Sequence, residues 1–116
     1  MKITYGNFSV LFTGDIEKEA EEFMIGQGAD LKSIILKAPH HGSSSSSTEE
    51  FIKAVNPEVA VFSVGYNNPF RHPNKKVLSR YKEARIKIYR TDMDGLIEIE
   101  SDGKNYTVKT YSEGNL

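Results

Sequence analysis

Two short runs of uninterrupted apolar residues, Ile34-Ile35-Leu36 and Val59-Ala60-Val61-Phe62, limit what this chain can fold into more than any other feature. A strand with one face in water alternates apolar and polar residues. A run without that alternation needs cover on both faces, which places it centrally in a parallel or mixed sheet. Leu31–Ala38 and Val59–Val64 are therefore expected to be interior strands. Each stops at a proline or glycine, enters a polar loop and is followed by a helical pattern. That order brings reactive side chains to the carboxyl ends of strands in α/β proteins.

The rest of the chain fits around these two strands. Met1–Gly6 and Phe8–Phe12 read as a hairpin turning at Gly6-Asn7, with Phe8, Val10 and Phe12 on one face. Asp15, as N-cap, is expected to open a helix to about Gln27 that buries Ile16, Ala20, Phe23 and Met24 and is stopped by Gly26 and Gly28. Ser47 and Glu50 have the spacing of a capping box, and the helix after them buries Phe51, Ile52 and Val55 and ends before Asn56-Pro57. Pro73 suits the first position of a third helix, with Val77, Leu78 and Tyr81 inward. Ile86–Arg90 is a short strand. Asp94-Gly95 and Asp102-Gly103 mark turns around Leu96–Glu100 and Tyr106–Tyr111, a closing antiparallel pair. The expected architecture is a single α/β domain with a mixed sheet, flanking helices and terminal β-hairpins, and 116 residues hold one core of that kind.

A formal net charge of −1 argues against a general nucleic-acid-binding protein. The absence of cysteine excludes disulfides and thiolate metal sites. Charge is unevenly placed, however: residues 71–90 hold eight of the fifteen basic residues and one acid, Glu83. Lys75, Lys76, Arg80, Lys82, Arg85 and Lys87 read either as a solvated helix face and strand end or, together with Arg71, as a surface for a phosphate backbone.

The residues able to carry chemistry sit just past the expected strands. His40 and His41 lie on one turn, IILKAPHHGSSSSS (34–47), and Asp15 and His72 lie beyond other strand ends. Neutral imidazoles and carboxylates with an open position for water are what zinc or manganese hydrolases require. Parallel neighbouring strands would bring these residues to one rim, where Asp92 and Asp94 could join them. Each has a plainer reading. Asp15 suits an N-cap, one of His40 and His41 suits a hydrogen-bonding role beside the other, His72 suits a helix cap, and Asp92 and Asp94 suit an ordinary turn. No serine stands in a G-x-S-x-G elbow, and no glycine-rich phosphate loop occurs.

LFTGD (11–15), LKAPHHGSSSSS (36–47), VAVFSVGYNNPFRHP (59–73) and RTDMDG (90–95), in this order, resemble the carboxyl-terminal half of a metallo-β-lactamase-fold domain, that of the bacterial ComEC competence proteins above all. The resemblance implies one half of an αββα sandwich, with residues 1–116 a partial domain. It makes Asp15 the carboxylate bridging two metals, zinc or manganese, and places His40, His41 and His72 at the site, with Asp15, His41 and His72 as metal residues. It implies a metal-dependent phosphodiester hydrolase in DNA uptake, acting on the strand that is not imported. The domain would lie outside the cytoplasm, attached to a plasma-membrane channel protein, with this portion itself soluble. The fold's main metal motif, H-x-H-x-D-H or H-x-D-x-D-H, does not occur in this sequence. The chain alone is accordingly expected to bind metal weakly and to be inactive, with DNA and the missing amino-terminal half as partners. An uncovered sheet face is expected to drive self-association. A non-catalytic DNA-binding or assembly module of the channel, or a stand-alone secreted hydrolase of another ester, are the alternatives.

Overall fold

The computed structural model describes residues 1–65, 68–69 and 72–111. β1 (Lys2–Tyr5) and β2 (Phe8–Phe12) form the antiparallel hairpin, and β2, β3 (Ile35–Lys37), β4 (Val59–Phe62) and β5 (Lys87–Arg90) then run parallel in the order β1-β2-β3-β4-β5. The helices α1 (Lys18–Gly26), α2 (Glu49–Val55) and α3 (Lys75–Glu83) are the crossovers that parallel neighbours demand.

Register determines which face the helices cover. Leu11, Leu36, Ala60 and Ile88 stand in one row across the sheet, and the main core gathers that row with Phe51, Ile52 and Val55 of α2 and Val77 and Tyr81 of α3. The neighbouring row, Val10, Ile35 and Val59, points the other way. Ile35 and Val59 are nevertheless only 1% and 3% exposed. The second hairpin, β6 (Leu96–Ser101) with β7 (Tyr106–Tyr111), lies on that side. The Tyr106 ring stands 5.7 Å from that of Phe8, and its hydroxyl donates to Glu58 at 2.9 Å. Its turn meets that of the first hairpin, where the Asn7 N–H donates to the Gly103 carbonyl at 2.7 Å. A Cβ on Gly6 would come within 2.5 Å of that carbonyl oxygen, so glycine is required there. The expected open face is therefore half closed. Met1, Ile3, Tyr5 and Phe12 nevertheless remain exposed on the same side.

Several local expectations give way to tertiary contacts. α1 begins at Lys18, not Asp15, and Glu17 in the cap position makes no side-chain cap. The free Lys18 N–H is taken instead by the Ser45 carbonyl at 2.8 Å. On the same helix Phe23 is 66% exposed, and Glu21, not Phe23, is buried. α2 is capped by Thr48, whose hydroxyl accepts from the Phe51 N–H at 3.2 Å, because Ser47 is drawn into the core. α3 begins at Lys75, not Pro73, and Asn74 rather than His72 caps it, accepting from the Lys76 N–H at 2.9 Å. The strand expected over 31–38 narrows to Ile35–Lys37, since Ser33 donates its N–H to Val55 and Ile34 donates to the Ser9 hydroxyl.

Candidate functional site

The carboxyl ends of β2, β3, β4 and β5 lie along one rim because those strands are parallel and adjacent. Thr13-Gly14-Asp15 leaves β2, and the Thr13 hydroxyl donates to the Lys37 carbonyl at the end of β3. The His40 N–H donates to the Gly14 carbonyl at 2.8 Å. These two bonds hold the aspartate loop against the histidine loop.

The histidine loop is a tight turn, Pro39–Gly42, in which His40 and His41 both adopt left-handed backbone angles (φ 49° and 54°) and Gly42 follows at φ 84°. Non-glycine residues avoid that region because Cβ crowds the carbonyl, and consecutive examples persist only where surrounding bonds impose them. At Gly42 the reason is closeness. A Cβ there would lie 2.5 Å from Pro73 and 2.9 Å from the Phe62 ring, and the Gly42 carbonyl accepts from the Asn74 N–H at 2.9 Å. The bare glycine lets the 72–74 segment close onto the turn.

The turn sends its two imidazoles to different neighbours. His41 Nδ1 lies 2.6 Å from the Ser63 carbonyl at the end of β4. A carbonyl only accepts, so Nδ1 carries the hydrogen, and in the neutral ring Nε2 presents a lone pair. That lone pair faces Asp15 Oδ1 at 3.5 Å. Two acceptors set face to face repel unless a proton or a cation lies between them. The gap is also close to the spacing of about 3.4 Å between two donors of one tetrahedral metal ion bound at about 2.1 Å. His40 Nδ1 stands 3.4 Å from Glu17 and 3.5 Å from the Ser45 hydroxyl. Its ring centroid is 6.1 Å from that of His72. Asn68 accepts the His72 N–H and donates to the His72 carbonyl, both at 2.8 Å. Burial first, then the nearby His40 and His41, lower the pKa of the His72 imidazole and favour its neutral form. His41, Asn68, His72 and Thr91 bound an open hollow of about 400 Å³.

All four residues singled out in the sequence thus reach one rim. Asp92 and Asp94 do not join them. Asp92 takes both Nε and Nη2 of Arg90 at 3.0 and 2.7 Å, and Asp94 accepts the Arg90 N–H at 2.8 Å. Just before them Thr91 carries the rim contact that sequence reasoning missed: its hydroxyl donates to the Val64 carbonyl and accepts the Val64 N–H, each at 2.8 Å. Its place directly after β5, equivalent to Thr13 after β2, was the available signal. Arg80 Nη1 donates to the Ser47 carbonyl at 3.0 Å, whereas Lys75 and Lys76 are exposed. Arg71 lies outside the described residues.

The donors suit zinc or manganese in type but are too few. Among the described residues no three His, Asp or Glu side chains gather as a group able to hold a metal ion. The Asp15–His41 pair alone does not make a metal site.

The sequence profile of the Metallo-beta-lactamase superfamily matches residues 1–66. Over 106 residues the chain is 38% identical to ComE operon protein 3 of Bacillus subtilis, an alignment covering 91% of this chain and 14% of that protein. It is 39% identical to Competence protein ComA of Neisseria gonorrhoeae, covering 84% and 14%. Recombination protein 2 of Haemophilus influenzae is 31% identical, covering 81% and 12%. The chain therefore spans about one seventh of the length of these relatives. No solved structure matches it.

Proposed function

We propose, from the premise that this chain belongs to the metallo-beta-lactamase superfamily and is related to competence proteins, that it supplies one part of a metal-dependent phosphodiester-hydrolysing centre in a DNA-uptake protein of the ComEC type. The chain is then the carboxyl-terminal half of the domain, and Asp15, His41 and His72 are its contribution to the ligand set. His40 stands beside them. The remaining ligands, and the membrane channel, belong to other parts of the parent protein. The domain faces the outside of the membrane, where it meets the DNA strand that is not imported. A metal ion bound by the complete set would supply the activated water that such hydrolysis needs. Exposed Lys75 and Lys76, with Arg71 and Arg80 on the same stretch, would attract the polyanion.

The observation that carries this reading is the His41–Asp15 pair. One ring nitrogen is already committed to the Ser63 carbonyl, and the other meets a carboxylate oxygen at 3.5 Å across the ends of adjacent parallel strands. Calorimetric titration with zinc and with manganese, together with turnover of a bis-aryl phosphodiester, tests it. The 116-residue chain is expected to take up metal weakly and to turn over nothing. The complete domain is expected to bind metal, and D15N or H41N within it to lose at least about tenfold in affinity. Tight stoichiometric binding with turnover by this chain alone would overturn its assignment as a partial site. Failure of the complete domain to bind metal would favour a second reading, a DNA-binding or assembly module without turnover. The absence of any three-donor group among the described residues is what keeps that second reading in view.

A further inference from the structure

Glu21 is a fully buried carboxylate that the rim chemistry does not use. Among the described residues no cation pairs with it, so hydrogen bonds alone must offset the cost of taking a charge out of water. It has three. Its two oxygens accept the Ser47 N–H at 2.6 Å, the Thr48 N–H at 2.9 Å and the Thr48 hydroxyl at 2.9 Å. The residue it grips is itself strained, since Ser47 has φ 60°. Tyr81 and Arg80 hold Ser47 from the other side, through its hydroxyl at 2.8 Å and its carbonyl at 3.0 Å. Burial raises the Tyr81 phenol, which keeps that hydroxyl neutral.

From this clamp the serine tract leads straight back to the histidines. Ser46 donates its N–H to the Ser43 carbonyl at 3.1 Å and its hydroxyl to the Ile16 carbonyl at 2.6 Å. The Ser43 N–H then donates to the His40 carbonyl at 2.9 Å, and the Ser43 and Ser45 hydroxyls pair at 2.9 Å. α1, which carries Glu21, follows directly on the loop that carries Asp15. One carboxylate therefore joins the helix that follows the aspartate loop to the serine tract that follows the histidines.

We propose that Glu21 is a positioning residue: by holding the far end of the serine tract it keeps His40 and His41 in their left-handed turn, with His41 set between Ser63 and Asp15. This rests on the reading of those side chains as a site. The test reads ring geometry and not turnover, so it can fail while that reading stands, and the reverse. Nitrogen-15 spectra of the imidazoles in the 116-residue chain report which ring nitrogen carries the hydrogen. E21Q keeps the shape but turns an amide N–H toward backbone donors. It is expected to lose the Nδ1–H form at His41 and to shift both His40 nitrogens. V55A removes volume from the buried end of α2 and serves as the destabilised control, expected to leave both rings at their wild-type positions. Wild-type ring spectra in E21Q would overturn the proposal, as would an equal shift in V55A. If E21Q does not fold, T48V removes one of the three bonds to Glu21 together with the cap of α2, and is expected to give a smaller shift of the same kind where V55A, which loosens the same helix, gives none. Unchanged rings in T48V would then overturn the proposal.

Discussion

Gly42 is where the histidine turn and the 72–74 segment touch, and a single methyl group there has nowhere to go. Gly42→Ala would place its Cβ against Pro73 and the Phe62 ring at a backbone angle that alanine resists. Strain and overpacking together are expected to cost about 2–4 kcal/mol in urea unfolding, whereas Gly26→Ala, with open space around it, should cost nothing. His72 makes the rim sensitive to pH in a definite direction. Its pKa lies below the ordinary 6.5 in the folded chain, so above that value neither state is protonated and the residue costs nothing. As pH falls through 6.5 the unfolded chain takes up the proton first, and stability declines until the folded pKa is passed. Urea midpoints measured from about pH 8 to about pH 5 are expected to fall on the acid side, and H72Q to flatten that limb.

At the scale of elements, α3 carries the basic surface that the proposed function assigns to DNA. Lys75 and Lys76 are exposed at its first turn, while Arg80 is tied to Ser47. K75E/K76E in the complete domain is expected to weaken duplex binding and to reduce the salt slope by about one to two. R80E is expected to act on stability as well, since it breaks a bond to the buried serine tract. Unchanged affinity in K75E/K76E would return the helix to a merely solvated face. The elements themselves were legible where sequence reports bulk burial. The apolar runs located β3 and β4, and the turn residues located both hairpins. Capping and helix facing were not legible. Hydrophobic periodicity counts residue types, so it placed Phe23 inside α1. The structure instead spends that face on a carboxylate needed by backbone donors of a distant loop. In the same way Asp15 has the chemistry of a cap, but the Ser45 carbonyl, thirty residues further on, already occupies the first helical N–H. For the site, strand ends and residue types pointed to Asp15, His40, His41 and His72. The bonds that orient them run to the Ser63 backbone carbonyl and the Asn68 amide, and residue type alone does not tell which partner a carbonyl or an amide takes.

For the whole molecule the uncovered side of the sheet sets the behaviour in solution. Met1, Ile3, Tyr5 and Phe12 are 77%, 49%, 59% and 41% exposed and share one side of β1 and β2. A contiguous apolar surface of this kind on an edge strand favours pairing with a second copy, or with the remainder of a longer chain. Solution scattering of the 116-residue chain is expected to give a concentration-dependent dimer, and I3K/F12K a monomer. A clean wild-type monomer would mean that the second hairpin covers the face well enough.

The bond from His41 to the Ser63 carbonyl joins residues 22 positions apart, and its strands meet only through a helical crossover. Contacts of that span close late in folding, after local helices and hairpins have formed. The rim therefore depends on β3 and β4 being paired in register. A half-folded polypeptide, even one with its helices in place, presents scattered imidazoles to its surroundings and no common face for them.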